Sequence, residues 1–255
     1  MEHSKHVAVV TGAASGIGKC TVERLLAQGW SVCALDISED ALASQAADLK
    51  VGERYWHHKC DVSSHDSIGV AFTAISRRTD KIDALVCSAG VVRPGSLEAQ
   101  SVDDVDRMLA VNLKGPWLTA KEALPLLRNR SDVDHPSRVV FLGSIAGIRP
   151  KVGGGFYAAS KAALHVIAGV LAVELAASGV LVNVVAPGTV ATPMVEEMTR
   201  AGVGYKVSGE SPLGRIAAPE DVVDVIMFFL SDAARYVNGT VLPVDGGTRA
   251  AFIRT

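Results

Sequence analysis

Seven short runs of apolar, largely β-branched residues recur along the chain, and each except the last is followed by a segment with helical spacing. The strand-like runs are 7–10, 31–35, 54–60, 82–87, 138–142, 181–185 and 240–244. The helical segments run over 16–28, to about 49, to about 78, over about 102–128, 156–177 and 219–230. Strands that are apolar throughout need cover on both faces, and the intervening helices supply it through right-handed crossovers. The pattern predicts an α/β fold, a doubly wound Rossmann fold with a seven-stranded parallel sheet and helices on both faces. No Pro/Gly/Ser linker divides the chain, so residues 1–255 read as one domain.

Composition agrees with a soluble globular protein: 49% of residues are apolar and 20% charged, and 255 residues can bury about 75% of the unfolded surface without a covalent staple. The net charge is -2 with no run of five like charges, which argues against nucleic-acid or membrane-surface partners and for a small-molecule ligand. Cys20, Cys33, Cys60 and Cys87 form no C-x-x-C pair and read as buried reduced thiols. The most apolar stretch, 162–177, is 16 residues long and carries His165 and Glu174, short of the ~20 needed to span a bilayer. The expected location is cytoplasmic. The loosest segment, 188–213, holds Gly202, Gly204 and Gly209 among Met194, Met198 and Tyr205, and reads as a mobile lid over a ligand.

The first strand ends in Thr11-Gly12-Ala13-Ala14-Ser15-Gly16-Ile17-Gly18, immediately before the first helix. This G-x-x-x-G-x-G spacing departs from the G-x-G-x-x-G fingerprint, yet its place is one where helix amides and the helix dipole hold a pyrophosphate. Asp36, 18 residues beyond Gly18, ends the second strand, where a carboxylate accepts hydrogen bonds from ribose hydroxyls. It repels a 2'-phosphate, and neither Ser15 nor Ile37 supplies a cation to offset that, so NAD is expected over NADP. Asp61 ends the third strand in the same way.

Tyr157 and Lys161 stand four residues apart in a helical segment, about 6 Å along the axis and on one face. The same spacing recurs at Tyr55 and Lys59, but that pair lies in a strand, where four residues span about 13 Å. Ser144 lies 13 residues before Tyr157 at the carboxyl end of the fifth strand, the sheet edge where open α/β folds bind ligands. A tyrosine with a free pKa near 10 needs about 4 kcal/mol of phenolate stabilisation to act as a base near neutrality, and one ammonium at ~4 Å in an effective dielectric of ~20 supplies that much. A catalytic metal is not expected: there is no H-x-x-x-H helix, and His57 and His58 alternate faces.

With these motifs, the chain resembles the short-chain dehydrogenase/reductase family over almost its whole length. The resemblance rests also on Asn112 in Val111-Asn112-Leu113, on N-V-V-A-P-G at 183–188 and on Asp245-Gly246-Gly247. It implies NAD(P)-dependent alcohol/ketone chemistry with Ser144, Tyr157 and Lys161 as catalytic residues and Asn112 holding a water in a proton relay. It further implies that Gly12, Ser15, Gly16, Ile17 and Gly18 cradle the dinucleotide beside Asp36 and Ile37, and that Asp61 and Val62 flank the adenine. Ala89 and Gly90 would approach the cofactor with Tyr157 and Lys161, Pro187, Gly188, Thr189 and Val190 would contact the nicotinamide, and Thr192 would also bind the cofactor. Where the family has N-N-A-G, this chain has Cys87-Ser88-Ala89-Gly90, which removes the amides that bridge neighbouring strands.

The substrate is expected over Ser144 and Tyr157, bounded by Ile145, Phe156 and Met194, in an apolar slot for a cyclic or branched secondary alcohol or diol. Residues 88–93 and 212–215 look similar to dihydroxybenzoate-forming members of the family, which makes a dihydrodiol-carboxylate dehydrogenase the narrower alternative. Arg93 and Arg149 follow the fourth and fifth strands, and either can pair with a substrate carboxylate if the site is dry; exposed, such a pair contributes about 0 to 1 kcal/mol. A non-catalytic NAD-sensing protein is the alternative of another class. The helix over 156–177 is apolar nearly all round, more than one sheet face absorbs, so a homo-oligomer, tetramer or dimer, is expected.

Overall fold

A computed structural model describes residues 6–200 and 209–251. Seven parallel strands form one sheet: β1 (Val7–Thr11), β2 (Ser31–Asp36), β3 (Tyr55–Lys59), β4 (Ala84–Cys87), β5 (Ser137–Leu142), β6 (Val180–Pro187) and β7 (Val241–Val244). Their order is β3-β2-β1-β4-β5-β6-β7. The chain reverses its direction of winding between β1 and β4, and a crevice opens there at the carboxyl ends of the strands.

Alternate residues of each strand feed two separate cores. On one face Val9, Leu85, Phe141 and Val184 pack with α3 (His65–Ser76), α5 (Gly115–Arg128) and α6 (Gly155–Leu175). On the other, Val10, Val86, Val140 and Val185 pack with α1 (Gly16–Ala27), α2 (Glu39–Leu49) and α8 (Pro219–Leu230). Burying one such side chain contributes about 1.5 to 3 kcal/mol, and the strands carry them on both faces, which is why their sequences do not alternate with polar residues.

Four features differ from the sequence reading. The segment expected as one helix over 102–128 is α4 (Val102–Leu109), a π-helical turn (Ala110–Lys114) and α5. The π turn puts Asn112 fully inside, and π-bulges are frequent at functional sites. The expected lid loop contains a helix, α7 (Pro193–Arg200), begun by Pro193, whose fixed φ suits a first turn. Its Gly202, Gly204 and Tyr205 lie outside the described residues. The helix α6 with its 3-10 extension covers 24 residues, with a mean hydropathy of 1.6 in its most apolar stretch, so by length and composition it exceeds the shorter run read from sequence and reaches membrane-spanning length. Here it lies along the sheet beside β6 with Leu164, Ala168, Ala172 and Leu175 buried, while Val166, Val170 and Val173 are exposed. Finally, Cys20 is only partly buried, beside Glu220, whereas Cys33, Cys60 and Cys87 are buried as expected; all four are free thiols.

Tyr55 and Lys59 do fall in a strand, β3, and the tyrosine hydroxyl turns away to the Leu42 carbonyl at 3.1 Å. Thr11 links the end of β1 to the Cys87-Ser88-Ala89-Gly90 segment. Its Oγ1 accepts the Ala89 amide at 3.3 Å and its carbonyl accepts the Ser88 amide at 3.2 Å, so β1 holds the loop after β4.

Candidate functional site

Two adjoining cavities lie along the carboxyl edge of the sheet and share Ile17, Ser88, Gly90, Thr192 and Met194. The smaller, about 270 Å³, is walled by Gly12, Ser15 and Gly16 from the first turn, by Asp36 and Ile37 after β2, and by Asp61 and Val62 after β3. Ala89 also lines it. Gly18 does not: it packs against the Gly12 carbonyl, where a Cβ would collide. Gly12 takes φ 65° and a Cβ there would stand 2.7 Å from the Ala89 amide nitrogen, so only glycine permits this approach.

Helix α1 begins at the cavity with no acidic residue in its first turn, and the Ser15 hydroxyl does not cap it. Its N-terminal amides and partial positive charge are thereby left for an anion. Asp36 is held in place by two amides, Ala14 to Oδ2 and Ser38 to Oδ1, each 3.0 Å. Burial opposes the charge of Asp61, but hydrogen bonds from the Ser63 hydroxyl and amide and the nearby Arg107 charge outweigh it and hold the carboxyl below its usual range. Arg107 lines the cavity, 3.6 Å from Asp61 and donating to the Ser63 hydroxyl at 2.8 Å. Sequence reasoning missed it because no pattern links α4 to the end of β3.

The larger cavity, about 630 Å³, contains Ser144, Ile145, Arg149, Tyr157 and Lys161 on one side and Pro187, Gly188, Thr189, Val190, Thr192 and Met194 on the other. Met198, Glu210, Pro212 and Thr248 complete it. The base of the lid segment is pinned by Ala191 to the Ala217 carbonyl (2.9 Å) and by Ala217 to the Thr189 carbonyl (3.1 Å). Two expected substrate contacts fail. Among the described residues, Phe156 lines neither cavity, and Arg93 turns away to Asp104 (3.6 Å) and the Val92 carbonyl (3.0 Å). Arg149 is on the wall, donating to the Thr248 carbonyl at 2.5 Å.

Lys161 is 4% exposed, and its ammonium donates to the Leu142 carbonyl at the end of β5 (2.7 Å) and stands 5.9 Å from the centre of the Tyr157 ring. Burial pushes its pKa down to about 8. Ser144 caps the 3-10 turn Ile145–Gly147, its hydroxyl accepting the Ala146 amide at 3.1 Å. Asn112 lines neither cavity: its side chain accepts from the Val91 amide and donates to the Val91 carbonyl, both 2.8 Å, and to Ser160 at 3.2 Å. Asn112 Oδ1 and Lys161 Nζ nonetheless flank one face of Gly90, 3.5 and 3.7 Å from where its Cβ would be. No group of three or more metal-ligating side chains is found among the described residues.

A family profile described as enoyl-(acyl carrier protein) reductase matches residues 12–249. A cis-4-hydroxycyclohexanecarboxylate dehydrogenase of Sinomonas cyclohexanicum is 36% identical over 97% of this chain and 98% of its own. Among solved structures, levodione reductase superposes with a TM-score of 0.89 at 29% identity, covering 97% of this chain and 98% of that one. A 3-ketoacyl-(acyl-carrier-protein) reductase from Brucella melitensis, complexed with NADH, superposes with a TM-score of 0.85 at 25% identity, covering 95% and 98%.

The buried ammonium makes a prediction about stability. Lys161 binds its proton less tightly folded than unfolded, so the penalty is fully present below about pH 8 and disappears as pH rises toward the unfolded value near 10.4. Lys161→Met is therefore expected to raise the melting temperature near pH 7, offset in part because the Leu142 carbonyl loses its donor at every pH. The advantage should shrink when the pair is compared by thermal denaturation near pH 10; a constant difference would show that the ammonium is not the cause.

Proposed function

The chain belongs to the short-chain dehydrogenase/reductase family, and from that premise we propose an NAD-dependent enzyme interconverting a cyclic or branched secondary alcohol and its ketone, with Tyr157 as general acid/base. That it is an oxidoreductase of CH-OH groups follows from the family. The observation that carries the finer reading is the pairing of Tyr157 and Lys161 in the wall of a cavity that adjoins the glycine-turn crevice.

The residues fit a dinucleotide, since the glycine cradle admits no Cβ and the α1 amides face it without a counter-charge. Gly12, Ser15, Gly16 and Ile17 would hold the pyrophosphate, with Gly18 only letting the helix pack on the turn; Asp36 and Ile37 would hold the adenosine ribose, and Asp61 and Val62 the adenine. Ala89, Gly90, Tyr157 and Lys161 would hold the second ribose, and Pro187, Gly188, Thr189, Val190 and Thr192 the nicotinamide. When bound, NAD supplies the hydride acceptor and a second positive charge. The carboxylate of Asp36 disfavours a 2'-phosphate, which supports NAD over NADP.

Tyr157 takes the alcohol proton while Ser144 holds the same oxygen. The Lys161 ammonium, 5.9 Å from the centre of the Tyr157 ring, favours the phenolate. The Leu142 carbonyl keeps that ammonium aimed. Asn112 fixes the loop at Gly90 and Val91, and a proton relay from Lys161 would pass over Gly90 beside its Oδ1.

Arg149 favours a narrower reading, a cyclic alcohol carrying a carboxylate. Its guanidinium lines the cavity and is already oriented by Thr248, and the relative from Sinomonas is named for such a substrate. Arg93, facing Asp104, is dropped from this role. We also place the enzyme in the cytoplasm as a single-domain homo-oligomer: the cysteines are free thiols, and the exposed valines of α6 form an apolar stripe suited to a second copy.

Tyr157→Phe is expected to lower turnover at least about a hundredfold and leave NADH affinity nearly unchanged; retained turnover in an NADH-production assay with cyclic alcohols would sink the mechanism. Asp36→Ala combined with Ile37→Arg should move the kcat/KM ratio from NAD toward NADP, and an unchanged ratio would count against the ribose assignment. Arg149→Ala, at an exposed position on the cavity rim, should raise KM for 4-hydroxycyclohexanecarboxylate by up to about fivefold and spare cyclohexanol. Equal effects on the two would leave a neutral alcohol as the substrate.

A further inference from the structure

One side chain beside the site is unexplained by the mechanism above. His165 lies one turn beyond Lys161 on α6, and its Nε2 is buried without a hydrogen-bond partner among the described residues. Its ring fills the space that side chains at 143 and 147 would need. A Cβ at Gly143 would collide with Nε2, and one at Gly147 would stand 2.8 Å from Cε1. Gly143 and Gly147 bracket the turn that carries Ser144, and the Gly143 amide is tied to the Val185 carbonyl at 2.8 Å.

The residue before Gly143 is Leu142, whose carbonyl holds the Lys161 ammonium. A ring pressed on Gly143 therefore backs the peptide that aims Lys161, and the same ring pressed on Gly147 backs the turn that places Ser144. A histidine has the right depth for this because its flat ring enters between two glycines where an aliphatic branch would strike one of them. Burial, then the nearby Lys161 charge, pushes its pKa down to about 4, so near neutrality it stands beside Lys161 without adding a second cation. The groups that face this cluster are Lys161 itself and, beside that, the Cys87 thiol, which burial keeps protonated.

We propose that His165 is a positioning residue for alcohol oxidation, a wedge that sets Ser144 and the Leu142 anchor of Lys161 relative to Tyr157. The proposal rests on the reading of Ser144, Tyr157 and Lys161 as the reacting set. It is tested with the full-length enzyme and the alcohol that gives the fastest NADH production, comparing wild type, His165→Ala, His165→Gln and Tyr157→Phe. In His165→Ala, kcat should fall about tenfold or more, with KM and NADH affinity nearly unchanged, and the midpoint of the rise of kcat/KM with pH should move up by about one unit. His165→Gln, which puts a planar neutral group in the same slot, should restore most of both. Should the alanine variant not fold, His165→Ser, which also empties the slot, takes its place.

An unchanged kcat, a loss matched by equal losses of NADH affinity and melting temperature, or a failure of glutamine to restore the pH midpoint would each overturn the proposal. Tyr157→Phe separates this from the parent reading. If that variant keeps its turnover, the reading of the site fails; if it is inactive while His165→Ala is unimpaired, only the role of His165 falls.

Discussion

The hydrogen bond from Lys161 to the Leu142 carbonyl is the contact on which the site is organised. A buried ammonium costs free energy unless its protons are satisfied, and the carbonyl at the end of β5 satisfies one at 2.7 Å. The bond ties α6 to the carboxyl edge of the sheet at the end of β5. Tyr157, one turn earlier, and Ser144, two residues after Leu142, are brought to the same cavity as a consequence. Burial opposes the lysine's charge, a cost in stability, while the same bond keeps the ammonium beside the Tyr157 ring.

Close backbone approach is the second constraint. Gly12 lies against Ala89 and Gly18 against the Gly12 carbonyl, so β1, the first helix and the loop after β4 meet with no room for side chains. Thr11 joins β1 to that loop with its hydroxyl and carbonyl.

Much of this was legible in the sequence because the signals were local. Apolar runs and helical spacing located all seven strands, and the helix over 219–230 agrees with α8 residue for residue. The Tyr157/Lys161 pair was separable from the Tyr55/Lys59 pair by period alone. The remainder depends on contacts distant in sequence. Nothing local says that Arg93 turns to Asp104 while Arg149 meets Thr248, or that Arg107 comes to Asp61. The π turn at Asn112 is likewise invisible to a 3.6-residue period, because one extra residue is absorbed without breaking the helix. Glycines drew the lid toward a loop reading, although Pro193 and the residues after it begin a helix.

That helix begins directly over the glycine turn: the Thr192 methyl would lie 3.3 Å from a Cβ at Gly16, and Met194 belongs to the walls of both cavities. The two compartments therefore share one wall. Whatever restricts α7 from one compartment restricts it for the other, and thermodynamic linkage would make any such help mutual.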